Sequence, residues 1–364
     1  MAPFETMQSN DFPVYYDCAK RFCAGNGADV YALHLEQGKI GAGLNEPPFL
    51  LWVVAPLGLL PYAAAKFCFD GVMSILVASS AIILAKSAKL TNRQTLVLIG
   101  LIAATGPAFE ILRVSKPGAV LFLGIACCIA CLQKGQEFKA GAWAALCLIK
   151  PQEILPFFIF ALGAMRIRFV LGCAAVVLLM SAVTFPLFGV QGYTNYLTRL
   201  GYLSTHPELA GTDAMPILVG QLLRMSIMPQ ATAIKLCNGI YAVLLLGLFI
   251  FGRRQRQVRQ WWLKGNLVGI VSMACLLPYI YTYDLVILIP GICSLLQILA
   301  QQKRKLLFAC VVVSIITFLD PIYAFIHYYQ PFTIDLNFCA LVILTVVSIL
   351  AATKIKEEMI EKAV

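Results

Sequence analysis

The sequence predicts an all-α, polytopic membrane protein, and three observations carry that prediction. Of the 364 residues 60% are hydrophobic and 13% charged, with a mean hydropathy of +0.83, whereas roughly a quarter of an ordinary soluble chain is charged. The apolar residues form continuous runs, many reaching the roughly 17–25 residues that cross a hydrocarbon core as a helix, and they lack the alternation of a membrane barrel. Basic residues fill the short gaps between the runs.

Runs and gaps together predict spanning helices at 63–86, 94–112, 117–133, 139–150, 152–165, 168–188, 232–252, 264–280, 284–300, 306–326 and 335–353, which makes about eleven crossings. Two of them, 139–150 and 152–165, are short and broken at Lys150-Pro151, as expected of half-depth helices meeting at a polar pocket. The run from Pro47 to Pro61 is apolar but too short and too rich in proline for a clean crossing. A crossing there would also put every later basic gap on the wrong side, so it is expected to be an outer juxtamembrane or re-entrant helix. The whole chain, 1–364, is expected to be a single transmembrane domain, with a first outer loop at 1–62 and a large outer loop at 189–231.

The net charge of +10 is distributed by side. The gaps around Lys86–Arg93, Lys134–Lys139, Arg166–Arg168, Arg253–Lys264, Lys303–Lys305 and Lys354–Lys362 hold 18 of the 28 Lys and Arg and four of the acids, net +14 against −4 elsewhere. By the positive-inside rule these gaps face the cytoplasm, and nucleic acid is not expected as a partner. Most of the 13 cysteines lie inside apolar runs and read as packing residues; Cys18 and Cys23 are a weak candidate for a disulfide. With three His in the chain, no metal site and no cofactor is expected.

Polar residues near the outer membrane face are expensive and therefore functional candidates: Asp11, Asp17, Glu46, Glu110, Arg113, Lys116, Lys150, Glu153, Arg199, His206, Asp213, Arg224, Asp284 and Asp320. Converging carboxylates and cations suit a reaction that needs a general base and a phosphate clamp. Each also has a plainer reading. Asp11 and Asp284 stand where helix caps belong, Asp17 can pair with Arg21, and Lys150 can snorkel from a helix end or pair with Glu153. Arg199 and His206 fall in the large outer loop, where solvated charges are common, and Tyr15, Tyr16, Tyr279 and Tyr281 can serve as interfacial aromatics.

The segment "DFPVYYDCAKRFCAGNGADVY", followed by "NEPPFLLWVVAPLGLLP", resembles the first outer loop of glycosyltransferase family 87, membrane enzymes of the GT-C superfamily that use polyprenyl-phosphate sugars. "KAGAWAALCLIKPQEILP" and "LLPYIYTYDLVILIPGI" are similar to later segments of that family. The resemblance implies an inverting transfer of a sugar, mannose or a pentofuranose, from a polyprenyl-phosphate donor to a glycolipid or envelope glycan on the outer face of the cytoplasmic membrane. It implies Asp11 as catalytic base, with Tyr15, Tyr16, Arg113, Lys116, Lys150, Arg199, His206 and Asp284 as substrate-binding candidates. Many relatives carry a Gly-Gln-Asn-like motif where this chain reads "RVSKPGAV", which leaves Arg113 or Lys116 to contact the phosphate. The family also implies a spanning helix ahead of Asp11; "MAPFETMQSN" has no apolar core, so that helix is expected upstream of Met1. A transporter or flippase of lipid-linked sugars would show paired halves. A glycan polymerase or ligase would depend on Arg199 and His206.

Overall fold

The computed structural model describes residues 11–32, 35–36, 39–40, 43–206, 215–271, 274–277, 281–301, 304–318 and 336–354. Expectations for Asp213, Tyr279, Asp320, the end of the 306–326 helix and the C-terminal residues from 355 lie outside them.

The first helix, α1 (Phe12–Cys23), starts directly after Asp11 with proline in its first turn. A two-residue antiparallel pair follows, β1 (Leu35–Glu36) with β2 (Lys39–Ile40). The Pro47–Pro61 run is one short apolar helix, Pro48–Leu59, as expected, with α geometry at Leu51–Val54 and tighter 3-10 turns at Pro48–Leu50 and Ala55–Leu59. Pro48 opens this helix and Pro56 stands in its last segment, where proline offers no N–H for a bond to the turn before. Gly58 seats α1 on this segment: a Cβ there would lie 2.6 Å from the Ala19 carbonyl oxygen.

The long apolar helices come next. α2 (Tyr62–Ser87) is unbroken. α3 (Asn92–Ala103) opens on a Thr91–Gln94 capping box and bends by 61° into α4 (Gly106–Arg113). Thr105 causes the bend by capping α4 through the Ala108 N–H at 3.3 Å, with Pro107 behind it. α5 (Gly118–Gln133), α6 (Glu137–Ala144, tightened into a 3-10 turn at Ala145–Ile149) and α7 (Pro151–Gly163) follow. The expected break falls at Lys150, whose backbone leaves helical geometry at φ −130°, ψ 81°.

α8 (Ile167–Thr205) is two helical segments joined by a kink at Gly189, where the 168–188 run is expected to end, and the start of the 189–231 segment is itself helical. The chain turns at Gly189, at φ 58° and ψ −173°, and then stays helical to Thr205. Glycine alone takes that conformation without a Cβ penalty, so Gly189 ends the first segment and starts the second in a new direction. The remainder is α9 (Leu218–Arg224), α10 (Gln230–Arg254), α11 (Trp261–Gly265, running into a π turn at Asn266–Val271), a 3-10 turn at Thr282–Leu288, α12 (Ile289–Gln301), α13 (Lys305–Phe318) and α14 (Leu336–Lys354).

Among the described residues α2, α8 and α10 are each long and apolar enough to cross a membrane, and α3 with α4 forms a bent fourth candidate. Phe67, Leu96, Leu178 and Leu246 stand exposed on these helices, as lipid-facing side chains do. The other apolar runs divide into shorter helices at their 3-10, π and proline breaks. The protein is a helical, membrane-bound one.

Small residues set the helix contacts, as expected where lipid gives apolar side chains no incentive to leave it. A Cβ at Gly141 of α6 would strike the Phe169 carbonyl oxygen of α8, and one at Gly172 of α8 would strike that of Phe138. Gly163 and Gly252 repeat this reciprocal contact between α7 and α10. Gly141→Leu is therefore expected to separate α6 from α8 and destabilise the fold by about 1–3 kcal/mol or more, read as a lower melting temperature in detergent. An unchanged melting temperature would refute the contact. At the end of the bundle rich in basic gaps, Arg166 donates to the carbonyls of Arg256 (3.1 Å) and Val258 (2.7 Å). Trp261 donates to Glu137 there at 3.2 Å.

Candidate active site

Three interhelix turns meet at the other end of the bundle: 114–117 between α4 and α5, Lys150 between α6 and α7, and 281–284 ahead of α12. Gly118 lets them close up, since a Cβ there would sit 3.1 Å from the Tyr283 carbonyl oxygen. Against these turns lies the start of α1. The Asp11 N–H donates to the Val114 carbonyl at 3.0 Å, and the Asp11 carboxylate pairs with Lys116. Asp11 thus occupies the N-cap position without capping: its side chain makes no cap hydrogen bond and is spent on the lysine.

The second ion pair joins residues far apart in sequence. Lys150 Nζ donates to Asp284 Oδ2 at 2.6 Å, with side chains 12% and 1% exposed. Asp284 also accepts the Tyr281 N–H at 3.1 Å, so it caps its helix and holds a cation at once. Tyr283 lies between the two lysines, its ring centre 4.5 Å from Lys150 Nζ and 5.5 Å from Lys116 Nζ, and it stacks on Tyr281. Burial would draw Lys150 down, but Asp284, Glu153 and Glu46 outweigh it and hold the ammonium above the usual lysine range. Burial and then the neighbouring Lys150 lower Lys116 to about 7, against the pull of Asp284.

The 114–117 turn is itself braced. Ser115, at φ 52°, donates to Asp70 Oδ1 at 3.1 Å and accepts from Lys66 Nζ at 3.0 Å. Lys66 also pairs with Asp70 at 2.7 Å. A β-branched residue rarely adopts positive φ. Ser115→Val is expected to cost about 2–3 kcal/mol of stability and Ser115→Gly about 1, measured by thermal unfolding. The reverse order would remove the argument for the turn. The Lys66/Asp70 brace was missed in the sequence; its signal was an i,i+4 charge pair at the start of an otherwise apolar helix.

The remaining candidates are placed as follows. Tyr15 is buried and donates to Glu46 Oε1 at 2.7 Å, and burial first, then Glu46, pushes its pKa well up. Tyr16 donates to the Leu60 carbonyl at 2.7 Å and packs on Tyr62, which ties α1 to the outer segment. Arg113 binds both oxygens of Glu110, at 2.7 and 2.6 Å. Of the two proposed phosphate contacts, Lys116 is thus the one placed among the tyrosines. Arg199 is buried, donates to Asn45 Oδ1 at 2.8 Å and clamps the first outer loop. His206 stacks on Tyr202, with its Nδ1 3.0 Å from that residue's carbonyl. Asp17 pairs with Arg21 at 2.7 Å.

Two expectations are corrected. Lys150 takes Asp284 rather than Glu153, whose two buried oxygens have no hydrogen-bond partner among the described residues. Cys18 and Cys23 are free thiols: five residues apart on one helix, their side chains point about 140° apart.

Beside the charged cluster, an apolar cavity of about 170 Å³ runs between α3, α4 and α12. Thr105, Pro107, Leu285, Leu288 and Ile292 line part of it, so its wall begins one residue after Asp284.

A lipid-facing helix bundle that gathers buried lysines and carboxylates at one end, beside an apolar cavity, defines an integral membrane protein with a polar site at its helix ends. The sequence model of glycosyltransferase family 87 matches residues 46–278, well over half of the chain. The chain belongs to that family and is a glycosyltransferase. No curated protein and no solved structure matches it significantly. The matched segment contains Glu46, Arg113, Lys116, Lys150, Arg199 and His206; Asp11, Tyr15, Tyr16 and Asp284 lie outside it and join the site through the contacts above.

Proposed function

We propose that this glycosyltransferase moves a sugar, mannose or a pentofuranose, from a polyprenyl-phosphate donor to a glycolipid or envelope glycan. It does so on the outer face of a cytoplasmic membrane, within one transmembrane domain of about eleven crossings. The observation that supports this reading is the pairing of Lys116 and Lys150 around Tyr283 next to an apolar cavity. A phosphate needs cations and a polyprenyl tail needs an apolar groove, and here the two adjoin. The basic gaps would face the cytoplasm, which puts the lysines on the outer side.

In this reading an acceptor hydroxyl gives its proton to the Asp11 carboxylate as its oxygen attacks the anomeric carbon. The bond from that carbon to the phosphate oxygen breaks, its electrons leave with the phosphate, and configuration inverts. Lys116 and Lys150 stabilise the departing polyprenyl phosphate.

Purified protein incubated with radiolabelled polyprenyl-phosphate mannose or arabinofuranose and a membrane lipid extract is expected to yield a labelled glycolipid. Labelling from nucleotide sugars instead, with none from lipid-phosphate sugars, would overturn the donor assignment.

A further inference from the structure

Glu46 belongs to none of the roles above, yet the fold places it with unusual care. It precedes Pro47 and Pro48, which confine its backbone to extended geometry. Its loop is pinned by the Arg199–Asn45 bond and by Gly43, where a Cβ would lie 2.7 Å from the Arg199 guanidinium. Glu46 is 8% exposed. Oε1 accepts the Tyr15 hydroxyl at 2.7 Å, and the other oxygen has no hydrogen bond among the described residues. Tyr31, fully buried, adds a hydroxyl that likewise has no partner among them. Its ring packs edge-on to Tyr196 at 5.4 Å, and the Leu44 N–H donates to the Val30 carbonyl at 3.4 Å, which sets the Tyr31 segment beside the loop of Glu46.

We propose that Glu46 is a sugar-reading residue, whose carboxylate, steadied on one oxygen by Tyr15, accepts hydrogen bonds from ring hydroxyls of the transferred or accepting sugar, with the Tyr31 hydroxyl completing the subsite. A fixed carboxylate with an open acceptor, beside a donor-acceptor phenol and aromatic faces, matches a neutral polyol. The buried Arg199 disfavours a metal ion there, and among the described residues no three His, Cys, Asp or Glu side chains gather as ligands. The proposal rests on the chain being a glycosyltransferase and is independent of the lipid-phosphate donor and of the role of Asp11.

The test combines substrate and protein changes. Mannose, glucose and arabinofuranose, each as lipid-phosphate and as nucleotide-diphosphate donors, and each with its monodeoxy analogues, are assayed with the full chain, Glu46→Gln, Glu46→Ala and Tyr31→Phe. Methyl glycosides of the same sugars are titrated by saturation-transfer NMR on the same detergent-purified proteins. A site built to bind a hydroxyl strongly rejects the analogue that lacks it. One deoxy position is therefore expected to cost the parent chain roughly 100-fold or more in kcat/KM. The same position should cost Glu46→Ala little more than it has already lost, and saturation transfer to the ring protons should fade in Glu46→Ala. Glu46→Gln, which keeps one acceptor oxygen, should fall between. Equal deoxy penalties in the parent and in Glu46→Ala would overturn the proposal. So would saturation transfer unchanged by the substitution or missing from the parent chain. Thermal unfolding separates a merely structural role, which would lower the melting temperature and leave discrimination between sugars intact.

Discussion

Asp11→Asn is expected to lower sugar transfer by roughly 100- to 10,000-fold, the usual contribution of a positioned general base, while the protein stays folded. The Asp11 side chain is 32% exposed and Lys116 18%, so water screens the carboxylate side of the pair and its loss costs on the order of 1 kcal/mol. A melting temperature within a few degrees of the parent, alongside a collapse in rate, is the expected combination. Asp11→Glu should retain part of the rate, since it keeps the charge. Full transfer by Asp11→Asn would remove Asp11 from the chemistry and return it to the role of a docking residue for the 114–117 turn.

Lys150→Met is expected to have the largest effect on stability. It strands Asp284, 1% exposed in the fold, as an uncompensated buried charge, and such breaks cost about 3–5 kcal/mol. The double variant Lys150→Met/Asp284→Leu separates scaffold from function. Replacing a buried pair by apolar groups is often close to neutral, apart from about 1 kcal/mol for the lost cap on the Tyr281 N–H. The double variant should therefore regain most of the melting temperature and none of the transfer. Recovery of transfer would show that the pair is structural alone.

Much of this architecture was legible in the sequence because apolar run length is a strong signal. The 63–86 run is α2 at 62–87, 232–252 is α10 at 230–254, and the Lys150-Pro151 break lies where the chain leaves helical geometry. Harder to read were the places where the backbone departs from a straight helix without a proline. Gly189 closes the first segment of α8 at the limit expected for the 168–188 run, but the second helical segment, to Thr205, is too polar to stand out in a hydropathy profile. The ion pairs were harder again. Lys150 and Glu153 lie three residues apart and Lys150 and Asp284 lie 134 apart, yet the nearer carboxyl has no hydrogen-bond partner among the described residues and the distant one takes the lysine. Glu46 was visible among the polar outer residues, but its partner Tyr15 lies 31 residues upstream, and only folding brings the two together.

The matching of charge at this end of the bundle has a consequence for how an anion arrives. Lys116 is held by Asp11, Lys150 by Asp284, Lys66 by Asp70 and Arg113 by Glu110, so the site projects little field beyond a Debye length. On the proposed function, it would not draw a phosphate out of bulk water. An incoming phosphate would have to trade places with a resident carboxylate, as on an ion-exchange resin, and its affinity would be the difference between two anions competing for one ammonium. Such a site favours a ligand delivered sideways at high local concentration within the bilayer, and it discriminates against soluble phosphates that have no other hold on the protein.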